Sequence, residues 1–121
     1  MKKYLGFHTL IDFYECNLSI LNDVTRIREI MLSALKMANI AYLEDNFHEF
    51  SPQGLTGVIF LRESHFSVHT WPEYRFAALD LFTCGENIDL SSAYTYLKNE
   101  FGAQRMSVFR VERGVLSEIN L

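Results

Sequence analysis

The chain has 121 residues, 49% of them hydrophobic and 14% aromatic, which makes one folded domain spanning residues 1–121 and excludes a disordered segment. Its net charge of −4 leaves no basic stripe to neutralise phosphates, so no nucleic-acid partner is expected. No run approaches the ~20 apolar residues of a membrane span, and His8 and Asp12 interrupt the apolar stretch after Lys2-Lys3 that a signal peptide would need, so the expected compartment is the cytoplasm.

Residues 3–14 are rich in aromatic and β-branched side chains and predict a first strand, ending near Glu15-Cys16-Asn17. An amphipathic helix follows over about 22–38. Val24, Ile27, Met31, Ala34, Leu35 and Ala38 share one face, Arg26, Arg28, Glu29 and Lys36 take the wet side, and Asn39 marks the end. Residues 40–50 read as a second strand, with a bulge or loop expected at Glu44-Asp45-Asn46, and Ser51-Pro52-Gln53-Gly54 is turn chemistry. Residues 55–61 and 65–71 predict two strands joined through Arg62-Glu63-Ser64, and 74–82 a fifth strand entered through Pro72-Glu73. Cys84-Gly85-Glu86-Asn87 reads as a loop. Leu90, Ala93, Tyr94, Leu97 and Phe101 stripe a second helix, and 105–112 make a last strand. Hairpin-like strands with two intervening helices give an α+β fold: a two-layer sandwich of a mostly antiparallel sheet with both helices on one face. The other sheet face then needs cover.

The two cysteines, Cys16 and Cys84, form no CxxC pair and read as free thiols; with four scattered histidines they show no ligand spacing, so no metal is expected. The segment richest in chemistry is Glu63-Ser64-His65-Phe66-Ser67-Val68-His69-Thr70-Trp71-Pro72-Glu73, followed by Phe82-Thr83-Cys84-Gly85. Residue by residue it has plain readings. Turns favour serine, so Ser64 alone says little. His65 and His69 fall on one face with Ser67 and read equally as hydrogen-bonded residues of a half-buried sheet. Phe50 reads as core, Glu73 as a solvated turn residue, and either cysteine as a small buried hydrophobe.

Taken together, this block closely resembles the self-cleavage and active-site region of the short prokaryotic S-adenosylmethionine decarboxylases. The likeness extends from Gly6-Phe7-His8 and Phe13-Tyr14-Glu15-Cys16 to about Arg113-Gly114. The resemblance implies cleavage between Glu63 and Ser64, giving chains 1–63 and 64–121, with Ser64 becoming a pyruvoyl cofactor. The serine hydroxyl attacks the preceding carbonyl to form an ester. Removal of the Cα proton expels the N-terminal fragment as a carboxylate, and hydrolysis of the dehydroalanine releases ammonia. The pyruvoyl carbonyl then forms a Schiff base with the substrate and takes the place of pyridoxal phosphate.

The same resemblance assigns His69 as the processing base, a role suited to an imidazole that titrates near neutrality, with His65 as a positioning residue. It assigns Cys84 as the proton donor to the decarboxylated carbon, since an ordinary thiol is protonated at neutral pH, and leaves Cys16 to packing. Phe50 would stack on adenine and Glu73 would accept hydrogen bonds from the ribose. It also implies a homodimer of helix, sheet, sheet and helix layers (αββα) with active sites shared between subunits.

Three positions depart from the family pattern. Thr56 stands where serine is usual and keeps a hydroxyl to assist processing, with a stiffer χ1. Phe7 replaces a basic residue. Arg75 replaces a small residue, often glycine, and reads as a surface cation or, two positions beyond Glu73, as a partner for that carboxylate. The leading expectation is decarboxylation of S-adenosylmethionine to the aminopropyl donor of polyamine (spermidine) synthesis. The alternatives are arginine or ornithine decarboxylation by the same cofactor, and a silent regulatory subunit.

Overall fold

The computed structural model describes residues 2–84 and 88–120, so the expected loop beyond Cys84, at 85–87, lies outside the described residues. Six strands form one sheet in the order β2-β3-β4-β5-β1-β6: β1 Tyr4–Tyr14, β2 Tyr42–Glu49, β3 Leu55–Leu61, β4 Ser64–Trp71, β5 Phe76–Thr83 and β6 Arg105–Val115. Every neighbouring pair is antiparallel. Among the described residues three α-helices accompany it: α1 Leu18–Leu21, α2 Val24–Met37 and α3 Ser91–Phe101.

Period-two alternation divides each strand between two faces. Phe7, Ile11 and Phe13 of β1, Phe66 and Val68 of β4, and Ala77, Leu79 and Leu81 of β5 are buried with Ile27, Ile30, Met31, Ala34 and Leu35 of α2 and Leu97 and Phe101 of α3 in one hydrophobic cluster. The expected helical stripe therefore does cover one sheet face, with Ile30 added to it. Asp23 caps α2 by accepting from the Arg26 backbone N–H at 3.0 Å, and Asn39 ends it at φ +59°. Arg26 and Glu100 join the two long helices through an ion pair.

The differences from the sequence reading lie at element ends. α1 is a single turn that apolar periodicity is too short to reveal; Asn17 caps it, accepting from Ser19 N at 3.1 Å. β2 stays extended through Asp45 and shifts register between Tyr42 and Glu44; Arg28 is not simply wet but forks onto the Asp45 carboxylate at 2.9–3.1 Å. β5 begins at Phe76 rather than 74, because Pro72 starts a one-turn 3-10 helix, Pro72–Tyr74. β6 runs on to Val115, paired with β1 along its length.

The second face carries rows of opposed residues. Phe60, His65, Phe82, His8 and Val111 form one row across five strands, and Val58, Ser67, Asp80, Leu10 and Phe109 the next. Leu10, Phe60, Val111 and Phe109 are 39–56% exposed. Among the described residues nothing covers this face.

Candidate active site

The β3–β4 hairpin turns through two residues, Arg62 and Glu63, with Leu61 opposite Ser64. Glu63 adopts φ +63°, a left-handed conformation that costs a side-chain-bearing residue about 1–2 kcal/mol. That turn brings the Glu63 carbonyl oxygen within 3.6 Å of the Cys84 thiol, and the Ser64 hydroxyl lies 3.9 Å from the same sulfur. Cys84 is exposed, so the buried-hydrophobe reading fails for it. The reading does hold for Cys16, which is fully buried. Burial pushes the Cys16 thiol up to about 11, against smaller opposing effects of Arg75 and the Ala77 backbone. Ser64, Cys84, Leu61, Thr83 and Ile88 line a cleft of about 260 Å³.

A second group gathers at the far end of β4. Thr56 and His69 sit opposite each other on β3 and β4, and the Thr56 hydroxyl meets His69 Nδ1 at 3.0 Å. Among the described residues nothing else hydrogen-bonds that ring, so Nε2 is available for proton transfer. Phe50, Trp71 and Glu73 join them around another cleft of about 260 Å³. Phe50 is 51% exposed and so is no core residue; its ring meets His48 edge-on at 4.7 Å. Glu73 sits exposed in the turn that follows β4.

One chain does not bring these two groups together. Ser64 and His69 are five residues apart on an extended strand, roughly 17 Å at about 3.3 Å per residue. They also fall on alternate faces. Neither gathers at the larger groove of about 450 Å³ beside Leu32, Lys36 and Tyr42, which holds none of the chemically equipped residues.

The departures resolve in physical terms. Phe7 is buried in the core, and Arg110 of the neighbouring strand places its guanidinium 3.7 Å from that ring's centroid, returning a cation to the position. Arg75 adopts φ +51°, which accounts for the fit of glycine there. Its side chain donates to the Cys16 carbonyl at 3.0 Å, so it ties the turn to β1 and does not pair with Glu73.

Sequence reading missed a network on the open face. Asp80 Oδ1 accepts from His65 Nε2 at 2.9 Å and meets His8 Nε2 at 3.1 Å, while Ser67 donates to Oδ2 at 2.8 Å. Burial opposes ionisation of Asp80, but the Ser67 and His8 hydrogen bonds and the two imidazoles outweigh it and hold the carboxyl below its usual range. One side-chain atom each of His8, His65 and Asp80 lies within 4.8 Å of the others, although no sequence spacing hints at it, because three strands supply them. The signal was the single acid in the apolar run of β5. Trp71 was also given no role, yet it lines the far cleft between His69 and Phe76.

Comparison with known proteins gives one consistent family. The profile described as S-adenosylmethionine decarboxylase matches residues 7–114. The chain is similar to the S-adenosylmethionine decarboxylase proenzyme of Carboxydothermus hydrogenoformans, 46% identical over 94% of this chain and 90% of that one. It is likewise similar to the proenzyme of that name from Thermodesulfovibrio yellowstonii, 44% identical over 96% and 86%. Its fold matches the crystal structure of the adenosylmethionine decarboxylase of Aquifex aeolicus with a TM-score of 0.86 at 34% identity, covering 99% of both chains.

Proposed function

The chain belongs to the S-adenosylmethionine decarboxylase family, and we propose that it works with a pyruvoyl group made from its own Ser64, in an active site that two copies complete. The activity is decarboxylation of S-adenosylmethionine, which supplies the aminopropyl donor of polyamine synthesis. Arginine or ornithine decarboxylation and a silent subunit are not favoured, and Arg75, which departs from the family pattern two positions beyond Glu73, is engaged with the Cys16 carbonyl.

The observation that carries the cofactor reading is the left-handed Glu63 with Ser64 and Cys84 at its carbonyl. The Ser64 hydroxyl attacks the Glu63 carbonyl carbon, the Glu63–Ser64 amide bond breaks as the ester forms, and the freed nitrogen stays on residue 64. A base then takes the residue-64 Cα proton, the ester oxygen leaves with Glu63 as a carboxylate, and water releases the nitrogen as ammonia. A tense turn lowers the cost of the first step. The fit of the finished group is supported by the cleft beside Ser64 and by the thiol at its edge.

His69 is the base, acting from the partner subunit because the chain's own His69 is out of reach. Thr56 holds its Nδ1 and fixes the ring plane. The same far cleft carries Phe50 to stack on adenine and Glu73 to accept from the ribose hydroxyls. The pyruvoyl group supplies the electron sink that lets carbon dioxide depart. Cys84 Sγ holds the proton that is delivered to the substrate carbon. The uncovered apolar face, with Leu10, Phe60, Phe109 and Val111, supports face-to-face pairing of two sheets.

Denaturing mass spectrometry of purified protein, with carbon dioxide release from carboxyl-labelled S-adenosylmethionine, arginine and ornithine, tests this reading. Two fragments, 1–63 and 64–121, the latter carrying an N-terminal pyruvoyl group, and release from S-adenosylmethionine alone are expected. A chain that stays whole while releasing carbon dioxide would remove the cofactor from the account.

A further inference from the structure

Three threonines are buried in the sheet: Thr9, Thr70 and Thr83. Thr70 donates to the Leu21 carbonyl and accepts from the Leu55 N–H, at 2.9 and 3.0 Å. Thr9 accepts from the Tyr94 hydroxyl at 3.4 Å. Thr83 is only 3% exposed, and among the described residues its Oγ1 is the buried side-chain polar atom with no hydrogen-bond partner. A buried hydroxyl left without a partner is costly, and native structures rarely keep one without a reason.

Its place suggests the reason. The β4–β5 register pairs His65 with Phe82; continued by one residue, it aligns Ser64, the first residue of β4, with Thr83, the last of β5. Opposed residues share a face, with Cβ atoms about 5 Å apart, and both residues line the one cleft with Cys84. In the uncut chain residue 64 presents a hydroxyl near Cys84 Sγ, and Thr83 goes unserved. After conversion residue 64 presents a ketone oxygen, which can only accept.

Resting on the pyruvoyl reading above, we propose that Thr83 is a further catalytic residue, whose hydroxyl donates a hydrogen bond to the ketone oxygen formed at residue 64. A neutral donor at that oxygen draws electron density from the carbonyl carbon and eases attack by an amine nitrogen; Thr83 keeps its proton throughout. The orphan hydroxyl of the precursor is then a partner held ready for the processed state.

The test compares Thr83→Val and Thr83→Ser in two backgrounds. In Ser64→Ala, which stays uncut, Thr83→Val loses no hydrogen bond, so its melting temperature is expected to match or exceed that of the Ser64→Ala parent. With Ser64 intact, Thr83→Val is expected to cleave, and its ketone to condense with phenylhydrazine about tenfold more slowly than that of the wild-type chain, the size of one net hydrogen bond; Thr83→Ser restores the rate. Loss of folding or a lower melting temperature in the Ser64→Ala background, or an unchanged condensation rate, overturns the proposal. So does a Thr83→Val chain that stays uncut, because the hydroxyl would then serve cleavage. Wild-type protein that never cleaves would instead defeat the pyruvoyl reading itself.

Discussion

Asp80 shows how a single residue ties this face together. Its carboxylate is fed by Ser67, His8 and His65, and its pKa is lowered in the fold. A carboxyl with a depressed folded-state pKa adds stability at pH values above its unfolded value, and that stability is lost as pH falls through the lowered one. Asp80→Asn is therefore expected to lower stability by roughly 1–2 kcal/mol at pH 7 and pH 5, with the gap to wild type closing toward pH 3. Urea midpoints at the three pH values measure this, and a gap that stays constant would show that the charge of Asp80 is not what matters. None of this was legible from spacing: His8, His65 and Asp80 come from three strands, so only the pairing register unites them. By contrast, His65, Ser67 and His69 belong to one strand, and period-two spacing alone set them on one face.

At the scale of elements, the β3–β4 hairpin is where local structure becomes chemistry. A two-residue connection forces Glu63 into the left-handed region, and Cys84 at the end of β5 meets the carbonyl so exposed. Glycine adopts that conformation freely. Glu63→Gly in the Ser64→Ala background is expected to raise unfolding stability by about 1 kcal/mol, and with Ser64 intact to slow cleavage about fivefold, as strain leaves the starting state. Denaturant titration and a mass-spectrometric time course follow the two effects; cleavage that keeps its pace would mean the tension is not used. Long periodic elements were legible here because α2 and the strands each repeat their pattern several times. The single turn α1 and the 3-10 turn at Pro72 were not, because capping by Asn17 and the start set by proline act on too few residues to show a period. The same turn fixes Arg75 at positive φ, which explains a departure that sequence alone left open between a surface cation and a partner for Glu73.

The whole molecule poses a problem that one chain does not solve. Ser64 and Cys84 stand at one end of β4, Thr56, His69, Phe50 and Glu73 at the other, and an apolar sheet face lies uncovered between them. Sequence could name both groups and the need for cover, but the alternation that sets them on different faces and at different ends is a property of the folded sheet. Two copies packed through that face can answer both needs, each lending its His69 end to the other's Ser64 end. Co-expression of differently tagged Ser64→Ala and His69→Ala chains tests this division most directly. Each variant alone is expected to remain uncut. Together, the Ser64 of the His69→Ala chain would meet the intact histidine of its partner, so that only the His69→Ala chain is cleaved, in mixed dimers, and decarboxylation returns at one site of each pair. Mixed dimers in which neither chain is cut would contradict the shared site.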